Sequence, residues 1–394
     1  MPAKGAGTIV GQVPSRVVVV GAGICGLAVA WRLAEAGIDV HVLDRGAAGR
    51  EASWAAGGML AAALEAEPGE EAMVALAHRS QALWTGYAAR LARAGGIDVG
   101  YRDEGTLQVA TTRDELAALR HRFTYLSRLG LPVAWWDAAA LRDAEPGLTP
   151  DALAAIAAPG DHQVDPRAVM PALVAAVRDA GATIEEEREA VALARIGDRG
   201  WTVRLAGGEE RPADAVVLAA GAWSAALDGL AAIDRPPVRP AKGQAIVLAM
   251  DPADPLVRRV IWGAGIYLVP RRDGRLYIGA TVEDRGFERT PTAGGLLSLL
   301  ESAWRVLPGL EELPVVELVT GLRPRSRDDL PIVGPSPLPG LHMATGHHRN
   351  GILLAPVTAE IVAAGILGGD RPPGYEAFSP ARFAVRQPEA ASAT

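Results

Sequence analysis

The sequence predicts a mixed α/β (α+β) fold in which a parallel, doubly buried sheet is interleaved with an antiparallel one. Three observations predict it. Residues 16–44 read as strand, glycine-rich turn, helix and strand, one complete βαβ unit. Segments 244–249, 266–270 and 275–280 alternate in the manner of antiparallel strands. Buried-type strands return late in the chain, at 215–219 and 341–344, so the first sheet draws on distant segments.

The elements follow in order. RVVVV at 16–20 is a β-branched run of the kind that fills a doubly buried strand. An alanine-rich helix is expected over 27–36, stopped by Gly37. DVHVL at 39–43 is the second strand and ends at Asp44. Helical spacing predicts helices over 70–94, 114–129 and 166–180, the last capped by Asp165. Residues 183–196 and 201–205 read as a strand pair around a turn at 197–200, and AVVLA at 215–219 as a buried strand. After the three alternating strands come a helix at 294–307, a short strand at 341–344 and a closing helix at 356–367. Residues 1–15 and 371–394 read as tails.

Composition excludes several classes. A chain of 394 residues allows two or three domains. With 49% hydrophobic and 22% charged residues it is globular, and its net charge of −7 argues against a nucleic-acid face. The single cysteine, Cys25, excludes intramolecular disulfides, CxxC redox pairs and cysteine-cage zinc sites, and no metal site is expected. The longest uncharged apolar run, 17–31, falls short of the roughly 20 residues a spanning helix needs and is broken by Gly21, Gly23 and Gly26. No targeting or membrane segment is read, so a cytoplasmic protein without membrane contact is expected. Lys4 and Lys242 are the only lysines.

The sharpest local signal is Gly21-Ala22-Gly23-Ile24-Cys25-Gly26, a GxGxxG between strand and helix. The first glycine permits the tight turn, the second a close approach of backbone to a pyrophosphate, the third close helix–strand packing. The helix start then offers free N–H groups to the phosphates. Asp44 follows Gly23 by 21 residues, where an acid meets a ribose hydroxyl. Cys25 reads as a small packing residue in this loop. The small-residue stretch SWAAGGML at 53–60, with Ser53, Ala56, Gly57, Gly58 and Met59, brings backbone close to a large planar ligand. A second approach comes where the strand at 215–219 ends in Ala220, Gly221 and Trp223. Together these point to FAD lying extended across the fold.

With those residues in place the sequence resembles the D-amino acid oxidase superfamily of flavoproteins, most closely the glycine oxidases of thiazole (thiamine) biosynthesis. The matching stretches include RPAKGQ (239–244), IYLVPRRDGRLYIGAT (266–281), GLRPRSRDDLPIVG (321–334) and GHHRNGILLAP (346–356). The resemblance implies a Rossmann-like FAD-binding domain interleaved with an antiparallel-sheet substrate domain, and FAD held non-covalently. It further implies hydride transfer from the Cα of glycine or a small D-amino acid to flavin N5. Oxygen is the acceptor, and imine or glyoxylate, ammonia and peroxide are the products. Arg323 resembles the carboxylate-binding arginine, a role suited to a planar guanidinium, and Tyr267 the tyrosine that shares that carboxylate. Arg349 is expected to border substrate and flavin. The resemblance places His348, Asn350, Gly351, Ile352 and Leu353 at the flavin, with the N–H groups of 350–353 facing its N1/C2=O end. Ile24, Arg45 and Val191 join the cofactor contacts. Met59, Ala61, Leu64 and Glu65 are expected at the substrate entrance, and Lys242 in a structural ion pair.

Rival readings were a sarcosine oxidase, a D-amino acid dehydrogenase with a non-oxygen acceptor, a flavin domain acting on tRNA and a non-enzymatic flavoprotein. The first attaches flavin through a cysteine in the C-terminal half, which this chain lacks, and Tyr277 stands where that family has a lysine. The expected domains are FAD-binding at 16–89, 160–234 and 324–370, and substrate-binding at 90–159 and 235–323. The expected partners are a small amino acid and O2, with no nucleic acid. The resemblance implies a homo-oligomer, the homotetramer being common in the family.

Overall fold

The computed structural model describes residues 13–197 and 200–383. Most of both expected tails lies outside them. Two large sheets carry the fold. The first has six strands in the order Ile332–Pro335, Leu341–Thr345, Ala215–Leu218, Arg16–Val20, Asp39–Leu43, Thr183–Glu185. Its centre is parallel, with Val17 beside Ala215 on one side and Val40 on the other. Val17 to Val20 are at most 4% exposed because both faces are covered. Helices Ile24–Ala34, Glu71–Gly95, Pro166–Asp179 and Gly351–Leu367 share one core with Val17 and Val19. A three-stranded sheet, Ala190–Ile196, Gly200–Leu205 and Glu210–Ala213, supplies Trp201 and Val203 to the core around Val18 and Val20.

The second sheet has eight strands: Val315–Ser326, Val238–Ala249, Arg275–Gly279, Ile266–Pro270, Val260–Gly263, Thr106–Ala110, Ala154–Ala158 and Ala134–Asp137. It is antiparallel except where Val260–Gly263 runs parallel to Thr106–Ala110. Helix Ala293–Val306 packs on it through Leu299 and Ala303.

Several expectations change. Residues 183–196 are not one strand: Thr183–Glu185 joins the first sheet and Ala190–Ile196 the three-stranded one. The turn between them is fixed by Glu187 at φ 56° and by Arg188 N–H donating to the Asp44 carbonyl at 2.7 Å. The closing helix starts at Gly351, five residues before Pro356, whose ring sits inside it and removes one i−4 bond. The first helix begins at Ile24 and the strand over 244–249 at Val238. Residues 375–383 form two 3₁₀ turns, and Phe378 is 1% exposed, so this part of the expected tail is packed. Helix Glu71–Gly95 runs unbroken through the expected boundary at 89/90, with Leu91 in the first core. The boundary at 323/324 likewise falls inside Val315–Ser326.

Candidate active site

Two cavities of ≈ 280 and ≈ 350 Å³ share Gly23, Ala52, Ala219, Gly221 and Pro324, so they form one trench between the sheets. Its far half is the GxGxxG end. Gly21 stands at φ 107°, and a Cβ there would lie 2.4 Å from the Ala219 carbonyl oxygen. A Cβ on Gly26 would lie 2.0 Å from the carbonyl oxygen of Gly21. Gly23 starts the helix with no side-chain cap, and Ile24 N–H donates to Ser53 Oγ at 3.0 Å. The N–H groups of Cys25 and Gly26 therefore have no helical acceptor, as in any first turn.

Asp44 accepts from the N–H of Ala22 (2.7 Å) and of Gly46 (2.9 Å), and burial raises its pKa. It lines this half with Arg45, Val191, Ala220 and Trp223. The Arg45 guanidinium lies 3.3 Å above the Trp223 ring and pairs with Glu51 at 3.0 Å. Cys25 is buried, its thiol pushed up to about 12 by desolvation.

The near half is lined by Ser53, Ala56, Gly57, Gly58, Met59, Trp262, Tyr267, Tyr277, Arg323, His348, Arg349, Gly351 and Ile352. The small-residue stretch is pinned from behind. Arg271, buried and lowered to about 10 by desolvation, donates to the carbonyls of Gly57 and Val164 and to Gln163. Tyr277 hydroxyl donates to the Ala55 carbonyl at 2.6 Å, and its ring stacks on Tyr267 at 6.2 Å. Arg323 Nη1 donates to the Thr281 carbonyl at 2.9 Å. Gly243 opposes it, and a Cβ there would sit 2.4 Å from Nη1. Among the described residues no carboxylate lies within ion-pair distance of Arg323. Burial raises the Tyr267 pKa above 10, and the neighbouring Arg323 opposes that shift.

Three expected residues sit differently. Arg349 Nε donates to Glu65 at 2.8 Å, and its Nη2 lies 3.8 Å from Glu70, so its charge is already paired. Burial raises the Glu65 pKa, with Arg349 opposing. The Asn350 N–H donates to the His347 carbonyl at 2.8 Å, so that donor is already used within the chain. Leu353 is in the core and lines neither cavity, although its N–H belongs to the uncapped first turn of Gly351–Leu367. At the entrance, Met59 and Glu65 line the cavity, whereas Ala61 and Leu64 are 1% and 0% exposed and do not. His347 bonds Thr358 at 2.9 Å. Lys242 Nζ lies 3.0 Å from Glu288, the structural ion pair expected.

Trp262 and Gly243 were not anticipated. Gly243 had a signal, a glycine in the RPAKGQ stretch at the start of an expected strand, which suits a close approach. Trp262 had none.

The donor set fits a dinucleotide. Two uncapped helix N-termini, Ile24 and Gly351, meet the trench. Gly21, Gly58, Gly243 and Gly321 hold its backbone where a Cβ would collide, whereas a Cβ on Gly23, Gly221 or Gly351 would meet ordinary contact at most. His348 lines the trench with its Nε2 buried and without a hydrogen-bond partner, and burial lowers its pKa to about 4, so it is neutral at pH 7. Fold and trench together define a nucleotide-dependent oxidoreductase with a second sheet over its cofactor. The chain belongs to the FAD dependent oxidoreductase family, which it matches over residues 16–364; its cofactor is FAD.

It is 37% identical to the glycine oxidase of Geobacillus kaustophilus over 349 residues, 88% of this chain and 91% of that one. It is 36% identical to the bifunctional protein ThiO/ThiG of a Nostoc species over 349 residues, 88% of this chain but 52% of that protein. The crystal structure of the Geobacillus kaustophilus glycine oxidase superposes with a TM-score of 0.87 at 34% identity, covering 95% of this chain and 99% of that one.

Proposed function

We propose that the protein oxidises glycine and other small amines with oxygen, giving an imine that either serves thiazole synthesis or hydrolyses to glyoxylate and ammonia. The overall balance is glycine, O2 and water to glyoxylate, ammonia and peroxide. The observation that carries the reading is Arg323, a guanidinium with no carboxylate partner among the described residues, facing the cavity beside Tyr267. A cation so placed suits a substrate carboxylate through two parallel hydrogen bonds. Tyr267 would donate its hydroxyl to the same carboxylate.

When bound, FAD would supply the acceptor for a hydride from Cα and the means of returning its two electrons to oxygen. The chain supplies orientation: Arg323 and Tyr267 fix one end of the substrate, and Met59, Trp262 and Tyr277 wall off water. No general base is needed if the amine enters neutral. The uncapped start of Gly351–Leu367 favours negative charge at the flavin. As part of the same proposal the enzyme is cytoplasmic and a homo-oligomer, which light scattering would read as a multiple of 41.0 kDa.

Anaerobic mixing of the yellow protein with glycine, sarcosine and D-alanine tests the reading. Rapid loss of flavin absorbance with glycine supports it. Loss only with larger D-amino acids moves the assignment to a general D-amino acid oxidase, and loss with no amine removes it.

A further inference from the structure

We propose that residues 282–289 form a strap that closes the cofactor trench and retains FAD, with Lys242 as its anchor. The segment leaves strand Arg275–Gly279 and ends ahead of helix Ala293–Val306. It touches both halves of the trench. Val282 lines the near cavity and is 62% exposed. Phe287, 49% exposed, stacks on Trp223 at 5.3 Å with 26° between the rings. That indole lines the far cavity and carries the Arg45 guanidinium. Arg289 reaches Glu51 at 3.1 Å, and Glu51 in turn pairs with Arg45.

Lys242 explains how such a strap is held. Its side chain is 0% exposed, and a buried ammonium is tolerated only when its donors are met. The partners come from the strap and the residues just beyond it: Glu288 at 3.0 Å, the Thr290 carbonyl at 2.6 Å and Glu283 at 3.8 Å. A backbone bridge adds Lys242 N–H to the Glu283 carbonyl and Glu283 N–H to the Lys242 carbonyl, each 2.9 Å. The chain's one lysine outside its first residues therefore fastens the segment that crosses the cofactor. FAD held at the glycine-rich backbone would lie under the strap, so its release would require the strap to open.

Lys242 itself is a poor probe, because its neighbour Gln244 donates its N–H to Thr281, whose carbonyl holds Arg323. Phe287→Ala removes the strap's stack on Trp223, and Glu288→Gln weakens its pairing with Lys242 without altering strand Val238–Ala249. The holoenzyme of each is diluted, and FAD release is followed by the rise of free-flavin fluorescence. Each variant is expected to release FAD roughly tenfold faster, the scale of one lost aromatic or charged contact. The melting temperature should fall further in the holoenzyme than in protein stripped of FAD, because the lost protein contacts weaken both forms and only weaker FAD retention adds a loss through binding linkage. Unchanged release in both variants overturns the proposal. So do equal falls in melting temperature with and without FAD, which assign the strap to bracing the sheet. No amine enters these assays, so they stand apart from failure of the glycine reading.

Discussion

At the scale of single residues, the substrate end of the trench is a matter of which charges are already spent. Arg349 is paired with Glu65 and Glu70, whereas Arg323 meets the Thr281 carbonyl and Tyr267 but, among the described residues, no carboxylate within ion-pair distance. Arg323→Ala is therefore expected to lower kcat/KM for glycine on the order of 10²- to 10³-fold, chiefly through KM. The flavin spectrum should stay native, and steady-state oxygen uptake checks the size of the loss. Arg323 and Tyr267 were legible because they sit in long, distinctive motifs. The Arg349–Glu65 pair was not, since its members lie 284 residues apart. Ala61 and Leu64 were misplaced at the entrance because a turn buries them. That turn is held by Asp161, which accepts from the N–H groups of Ala63 (2.9 Å) and Leu64 (2.8 Å).

Burial raises the Asp161 pKa from 3.8 to about 6. Between those values the folded chain keeps a proton that the unfolded chain has released. The contribution of Asp161 to stability is thus fully present below 3.8 and falls as pH rises to about 6. Denaturation of wild type and Asp161→Asn across that window should show their stability difference drifting against wild type as pH rises. A constant difference would reject the assignment.

At the scale of elements, helix ends do much of the placing. The starts of Ile24–Ala34 and Gly351–Leu367 lack side-chain caps and meet the trench. Away from it Arg113–Arg128, Pro166–Asp179 and Ala293–Val306 carry side-chain caps, whereas Glu71–Gly95 does not. Thr112 and Glu115 form a reciprocal capping box on Arg113–Arg128. Thr112→Ala should cost about 1 kcal/mol, read as a lower urea midpoint. It should leave FAD affinity alone, because this helix borders neither cavity. The βαβ unit and the alternating strands were legible from their periodicity. Ala154–Ala158 was not, since AAIAA is fully buried yet lacks alternation and has one β-branched residue, Ile156, among alanines. Val315–Ser326 was hidden by its glycine and proline, which it tolerates as the outermost strand of its sheet. Residues 183–196 misled because two short strands of different sheets meet across a positive-φ turn that carries no glycine.

At the scale of the whole molecule, sequence order and spatial order part company. The parallel sheet is finished only by Leu341–Thr345, paired to Ala215–Leu218, and its helical face only by Gly351–Leu367. That last helix packs on Ile24–Ala34 and Glu71–Gly95, the oldest parts of the chain in order of synthesis. Its residues Ile352 to Ala355 are at most 5% exposed, and Ser80 and Trp84 both donate to the Leu353 carbonyl, at 2.6 and 2.8 Å. Removing it would expose an apolar face along two helices and orphan buried donors at once. A chain ending at residue 330 is therefore expected to lose the nucleotide-binding layer, even though it keeps the whole GxGxxG motif and Asp44. Such a chain should show no cooperative thermal transition and bind no FAD. A truncated protein that still turned yellow and melted cooperatively would mean that the first 330 residues hold an independent nucleotide domain, against the interleaving described here.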